Sequence, residues 1–235
     1  MPQKFSSTCS SIKEIAPRIL EVVLQLQSPK ELEFLPGQFI MVLVDSETTT
    51  SRAYSIASES SPTHSVRLVV SLKPGGVGSR YYENLSVGDS VTFFGSAGFF
   101  VLPEELPNNI NFVCTGTGVV AFIPMLRELV SRGFAGNVVL LFGSRFEKDV
   151  FYEESLKDFQ KELSNFNFTV CLSQEPHQED LQVSRRYSRV TENLDLLNFT
   201  NSIFYLSGNP NMVPEVEKLL ISRHISQELI YSEKY

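Results

Sequence analysis

The chain has 235 residues, enough for one large domain or two compact ones. Apolar residues make up 42% and charged residues 20%, the balance of a folded globular protein, and no apolar run approaches the roughly 18 residues of a membrane span. A formal charge of −7 excludes the broadly basic surface that non-specific nucleic-acid binding requires.

Cys9, Cys114 and Cys171 are too few and too scattered for a disulfide framework or an iron–sulfur cluster. His64, His177 and His224 lack metal-ligand spacing, so no bound metal is expected. The start, Met1-Pro2-Gln3-Lys4-Phe5, has neither the basic nor the apolar stretch of a secretory signal, and the expected location is cytoplasmic.

In chain order, the first elements read as short strands. Ile19–Leu26 is rich in β-branched and aliphatic residues, and Gln38–Val44 follows a turn at Pro36-Gly37. Arg52–Ser55, Ser65–Ser71 and Ser90–Phe94 continue the series, with Pro, Gly, Asn or Asp at the boundaries. Such spacing predicts a small Greek-key antiparallel β-barrel, with one short helix over Ser79–Leu85. The rhythm changes after the Pro-containing segment 103–109. Strand-sized runs at Asn111–Cys114, Val138–Phe142, Phe168–Leu172 and Ile203–Leu206 now alternate with helical patterns at Phe122–Arg132, Glu153–Leu163 and Val213–Ser222. That alternation predicts βαβ units and a parallel α/β sheet. The expected division is 1–107 for the barrel and 108–235 for the α/β domain, with a mobile loop over Gln174–Arg186.

Three motifs carry chemistry. Alternation along a strand puts Arg52 and Tyr54 on one face and Ala53 and Ser55 on the other. A guanidinium there can grip a phosphate, a phenol ring can lie against a flat heterocycle, and a serine hydroxyl can meet its edge. Alone, the segment also fits an ordinary edge strand. Gly75-Gly76-Val77-Gly78-Ser79 is a turn whose backbone N–H groups can approach an anion ahead of a helix, with Ser79 as the expected N-cap. Thr115-Gly116-Thr117-Gly118 follows an apolar strand and precedes a helix, the context of a phosphate-cradling turn. Arg145, past the end of the next strand, stands where such folds meet an adenosine ribose; with Arg185 and Arg186 it could bind a 2′-phosphate, or all three could be solvated charges.

Arg52-Ala53-Tyr54-Ser55 resembles the flavin motif of the ferredoxin–NADP⁺ reductase superfamily, and the resemblance extends over essentially the whole chain. It implies that Arg52 meets the FAD diphosphate, Tyr54 packs on the ring and Ser55 faces flavin N5. It also implies that Gly76, Val77, Gly78 and Ser79 form a second flavin element, and that Thr115, Gly116, Thr117 and Gly118 hold the pyridine nucleotide. Ala121 replaces the family's proline in that turn. Ser207-Gly208-Asn209-Pro210 resembles the strand-end motif beside the nicotinamide, with Ser207 in place of the usual cysteine. Glu233 and the terminal aromatic Tyr235 match the acid near the reacting atoms and the ring stacked over the flavin. Gln174 stands where the family has a phosphate-reading arginine, while Arg145 still favours NADP(H) over NAD(H). The implied function is a flavin-dependent oxidoreductase. It would pass hydride between NAD(P)H and FAD, and single electrons to a separate carrier such as ferredoxin or flavodoxin. A free-flavin reductase and a redox-sensing electron-transfer subunit are the alternatives.

Overall fold

The structure, a computed structural model, describes residues 2–59, 61–176 and 184–234. Contacts gather Met1–Leu102 with Val120–Glu128 into one compact unit, and Pro103–Val119 with Leu129–Tyr235 into another.

The first unit is built on six strands: β1 (Lys4–Ala16), β2 (Ile19–Ser28), β3 (Phe39–Asp45), β4 (Thr50–Ser55), β5 (Ser65–Ser71) and β6 (Ser90–Ala97). Helix α1 (Val77–Asn84) lies between β5 and β6 in sequence. All strand pairs are antiparallel, in the order β4-β3-β6-β1-β2-β5. The sheet curls until its edges approach, and the Ala57 N–H, just past β4, donates to the Arg67 carbonyl of β5 at 2.8 Å. This is the expected antiparallel barrel. Its interior holds Phe5, Cys9, Val22, Leu24, Ile40, Val42, Val66, Leu68, Val91 and Phe93.

Strand β1 has no counterpart in the sequence-based expectation. Its inward positions, Phe5, Ser7 and Cys9, are buried, but Ser7 is polar and Cys9 small, so the alternation does not read as apolar. The buried Ser7 hydroxyl is satisfied by donating to the Val91 carbonyl at 2.9 Å.

The second unit holds β7 (Asn109–Thr115), β8 (Asn137–Ser144), β9 (Phe166–Leu172), β10 (Arg185–Arg186), β11 (Ser202–Gly208) and β12 (Ile230–Lys234). These pair in parallel in the order β10-β9-β8-β7-β11-β12. Helices α2 (Phe122–Ser131), α3 (Glu153–Glu162) and α4 (Met212–Ser222) supply the crossovers. Strands β7 and β11 are buried almost end to end, as a sheet covered on both faces demands. Since β8 follows β7 on one side and β11 flanks it on the other, the strand order reverses at β7 and β11. In open α/β sheets the carboxyl ends of such a pair form the ligand-binding crevice.

The sequence division at residue 107 does not anticipate that the first part of α2 groups with the barrel unit. Apolar packing explains it. Phe122 stacks at a tilt on Phe100 with ring centroids 6.0 Å apart, and a side chain at Gly37 would collide with the Met125 terminal carbon. Arg127 adds an ion pair to Glu59 at 3.0 Å.

Candidate functional site

In the first unit the two glycine- and arginine-bearing motifs meet. β4 pairs with β3 so that Arg52 opposes Val42 and Tyr54 opposes Ile40, while Ala53 opposes Met41 and Ser55 opposes Phe39. Arg52 and Tyr54 therefore share the face that Val42 and Ile40 turn to the core, and Ala53 and Ser55 share the other. Tyr54 is half-buried and meets the ring of Tyr82 edge-on, with centroids 5.2 Å apart. The start of α1 lies directly over this pair. A Cβ at Gly78 would stand 2.6 Å from the Tyr54 hydroxyl oxygen and 3.6 Å from Cγ of Arg52. Only glycine lets the helix backbone come this close.

Helix α1 opens at Val77, with Gly76 as its N-cap. Ser79 is not the cap expected of it. It sits inside the first turn, 7% exposed, and its hydroxyl accepts the Lys73 N–H at 2.7 Å, pinning the turn to the helix. The first bond within the helix runs from the Arg80 N–H to the Gly76 carbonyl at 3.0 Å. The N–H groups of Val77, Gly78 and Ser79 precede it and point out of the helix end with its positive partial charge.

Arg52 is exposed, and among the described residues its guanidinium donates only to the neighbouring Ser51 carbonyl, at 2.9 Å. Ser55 is half-buried, and its hydroxyl makes no hydrogen bond among the described residues. Burial raises the Tyr54 phenol to about 12 against the pull of the Arg52 charge, and burial lifts Tyr82 well above its ordinary value. The buried Tyr82 hydroxyl faces the Tyr54 phenol without a hydrogen bond of good geometry. Both tyrosines stay protonated at physiological pH. These residues fit a dinucleotide cofactor: an exposed guanidinium and the first helix N–H groups suit a diphosphate, and a neutral phenol beside them suits an aromatic ring.

In the second unit the other motifs converge at the carboxyl ends of β7 and β11. Gly116 takes φ +54 and starts a 3-10 turn through Ala121. A side chain at Gly118 would run into the Ser207 carbonyl, and one at Gly208 (φ +126) would meet the Thr115 carbonyl at 2.5 Å. The two strand ends thus interlock through paired glycines. Thr115 completes the join, its hydroxyl accepting the Asn209 N–H at 2.9 Å. Gly143 serves the same packing, since a Cβ there would lie 2.8 Å from the Thr115 methyl. Neither Gly143 nor Asn209 was singled out from the sequence as a site residue. Gly143 is itself a strand-end glycine and Asn209 follows one, the signal that could have found them.

Ser207 is fully buried in β11, and β12 pairs with β11 so that Glu233 lies in register with it. Glu233 is half-buried, and burial raises its carboxyl to about 7. Sequence patterning gave no strand at 230–234; the parallel pairing of β12 is what brings the carboxylate beside Ser207. Tyr235 lies outside the described residues, as does 177–183 within the expected mobile loop.

Arg145 is exposed just past β8, two residues beyond Gly143, which pairs with Thr115. Arg185 is not a solvated charge. Its side chain is 5% exposed and is bound to Glu147 and Glu153, and its remaining Nη1 is buried without a hydrogen-bond partner among the described residues, so burial leaves it no face for a phosphate. Arg186 is exposed and donates to the Arg185 carbonyl at 3.1 Å.

Comparison with known proteins accords with this geometry. Residues 7–102 match the family described as Oxidoreductase FAD-binding domain, and residues 112–218 match the Oxidoreductase NAD-binding domain. The chain is 30% identical over 172 residues to Ferredoxin–NADP reductase B of Sorangium cellulosum, covering 73% of this chain and 70% of that one. It is 29% identical over 212 residues to the anthranilate 1,2-dioxygenase electron transfer component of Acinetobacter baylyi, covering 89% of this chain and 60% of the relative. The chain therefore spans between 60% and 70% of the length of these two relatives. Among solved structures, an Amycolatopsis cytochrome P450 reductase superposes with a TM-score of 0.88 at 26% identity, over 99% of this chain and 69% of that one. With an FAD-binding domain, an NAD-binding domain and a strand order that reverses between two glycine turns, the chain belongs to the ferredoxin–NADP⁺ reductase superfamily.

Proposed function

We propose that this chain is a flavin-dependent reductase that moves hydride between NAD(P)H and bound FAD and single electrons to or from a separate carrier protein such as ferredoxin or flavodoxin. The observation that carries the reading is the closure of Gly78 over Tyr54 and Arg52, which unites two distant segments into one anion- and ring-binding corner. Bound flavin supplies the chemistry of taking electrons in pairs and releasing them one at a time.

The chain's own residues have the following parts. Arg52 and the first N–H groups of α1 hold the diphosphate of FAD, Tyr54 supports the ring, and the Ser55 hydroxyl meets its N5 edge. Gly76 and Val77 let the helix end approach, and Ser79 fixes that end through Lys73. Thr115, Gly116, Thr117, Gly118 and Gly208 cradle the pyridine nucleotide. Ser207 and Glu233 stand beside its reactive ring. Glu233, protonated up to about pH 7, can hold or deliver a proton there. Arg145 meets the 2′-phosphate and favours NADP(H).

The names of the relatives, a ferredoxin–NADP reductase and a dioxygenase electron transfer component, support an electron-carrier partner. Lys73 precedes α1 and Arg80 lies within it, both exposed and without a salt bridge among the described residues, and they offer an acidic carrier a basic landing on a chain of net charge −7. In an assay of NADPH-driven cytochrome c reduction, added ferredoxin or flavodoxin should raise the rate, and more so at low salt. Rates that do not change when carrier is added would reject the assignment.

A further inference from the structure

The residues following β8 carry a free cation among carboxylates. Arg145 is exposed, and its side chain makes no hydrogen bond or ion pair among the described residues. Glu147 follows two positions later, and Glu153 opens α3. Both carboxylates are taken up by Arg185. Its Nε donates to Glu147 Oε2 at 3.0 Å and its Nη2 to Glu147 Oε1 at 2.6 Å, a two-pronged grip that only a guanidinium can make. The same Nη2 donates to Glu153 Oε2 at 2.6 Å, and Lys157 adds a second cation to Glu153 at 3.2 Å. The backbone of the turn is also fixed. Gln174 N–H donates to the Arg145 carbonyl at 2.9 Å, and Glu147 N–H donates to the Glu175 carboxylate at 2.8 Å.

We propose that Arg185 is a specificity-determining positioning residue: by neutralising and holding Glu147 and Glu153 it keeps Arg145 unpaired and available to a 2′-phosphate. This rests on the reading of Arg145 given above. Arg185 is buried and does not touch the nucleotide. Its effect is to neutralise Glu147 and, together with Lys157, Glu153, and so to deny Arg145 an internal partner. Breaking the grip on one side would leave carboxylates that repel that phosphate and compete for Arg145.

The test is calorimetric binding of adenosine 2′,5′-bisphosphate and adenosine 5′-monophosphate to the FAD-loaded protein, two probes that differ by the 2′-phosphate alone. Arg185→Gln should weaken the bisphosphate about tenfold and the monophosphate less than about twofold. Adding Glu147→Gln to that variant should recover most of the lost bisphosphate affinity. Equal weakening of both probes, or no recovery in the double variant, would show that Arg185 is only a structural pin and overturn the proposal. If Arg185→Gln alone does not fold, Glu147→Gln alone still decides. With its charge already cancelled, bisphosphate binding should change less than about threefold, and a larger rise would overturn the proposal. Arg145→Ala is the separate control. If it leaves the ratio of the two affinities unchanged, the reading of Arg145 itself fails, whatever the Arg185 variants do.

Discussion

At the scale of single residues, close approach and burial decide what each group can do. Gly78 is the sharpest case, because its neighbour is the hydroxyl of a half-buried ring already locked against Tyr82. Gly78→Ala must push that ring or the helix aside. Overpacking of this kind costs about 1–3 kcal/mol. Thermal unfolding should fall accordingly, and the purified variant should lose FAD on gel filtration while the wild type keeps it. Retention of a full complement of FAD by the alanine variant would contradict the proposed corner. Glu233 gives a second test. Its folded carboxyl sits near 7 against an ordinary 4.5, so the folded chain holds that proton more tightly than the unfolded one. The stability this contributes is complete below the unfolded value and is lost as the pH rises through about 7. Glu233→Gln keeps a neutral side chain at every pH. Urea unfolding should therefore show a shallower pH dependence between 4.5 and 7 for the variant, and greater stability than wild type above that window. Parallel curves would exclude Glu233 as the titrating group. Arg52, Tyr54 and the glycines stood out in the sequence because their chemistry is written in residue type. The commitment of Arg185 was not, since nothing local distinguishes a buried arginine from a solvated one when its partners lie 38 and 32 residues away.

At the scale of elements, the second unit was the more readable. Its central strands are mostly buried and carry short apolar runs, so β7, β8, β9 and β11 all appear within two residues of expectation. Strands β10 and β12 did not, because one is two residues long and the other, Ile230–Lys234, mixes polar and apolar residues at the edge of the sheet. In the first unit β1 was hidden by Ser and Cys at inward positions. The start of α1 was misread for a related reason: Ser79 is a good cap by type, but its hydroxyl has a better use on the Lys73 N–H. Ser79→Ala would strand that N–H in a partly buried turn, a loss of about 1–3 kcal/mol. The 73–79 turn should loosen, FAD should dissociate faster, and Ser79→Thr should recover much of the loss. If alanine and threonine behave alike, the hydroxyl is not what holds the turn.

At the scale of the whole molecule, the order of the parts matters more than any one of them. A barrel bearing the Arg52–Tyr54–Gly78 corner is followed in the chain by a parallel sheet whose strand order reverses at β7 and β11, and each corresponds to its own domain family. No helix among the described residues is long and apolar enough to cross a membrane. Both halves of the reading, a flavin in one unit and a nicotinamide nucleotide in the other, meet in a single anaerobic titration of the purified protein. The account predicts a yellow protein whose flavin absorbance bleaches on stoichiometric addition of NADPH, with NADH needed in larger excess. A yellow protein that neither nucleotide bleaches would contradict the transfer of hydride on which the account depends.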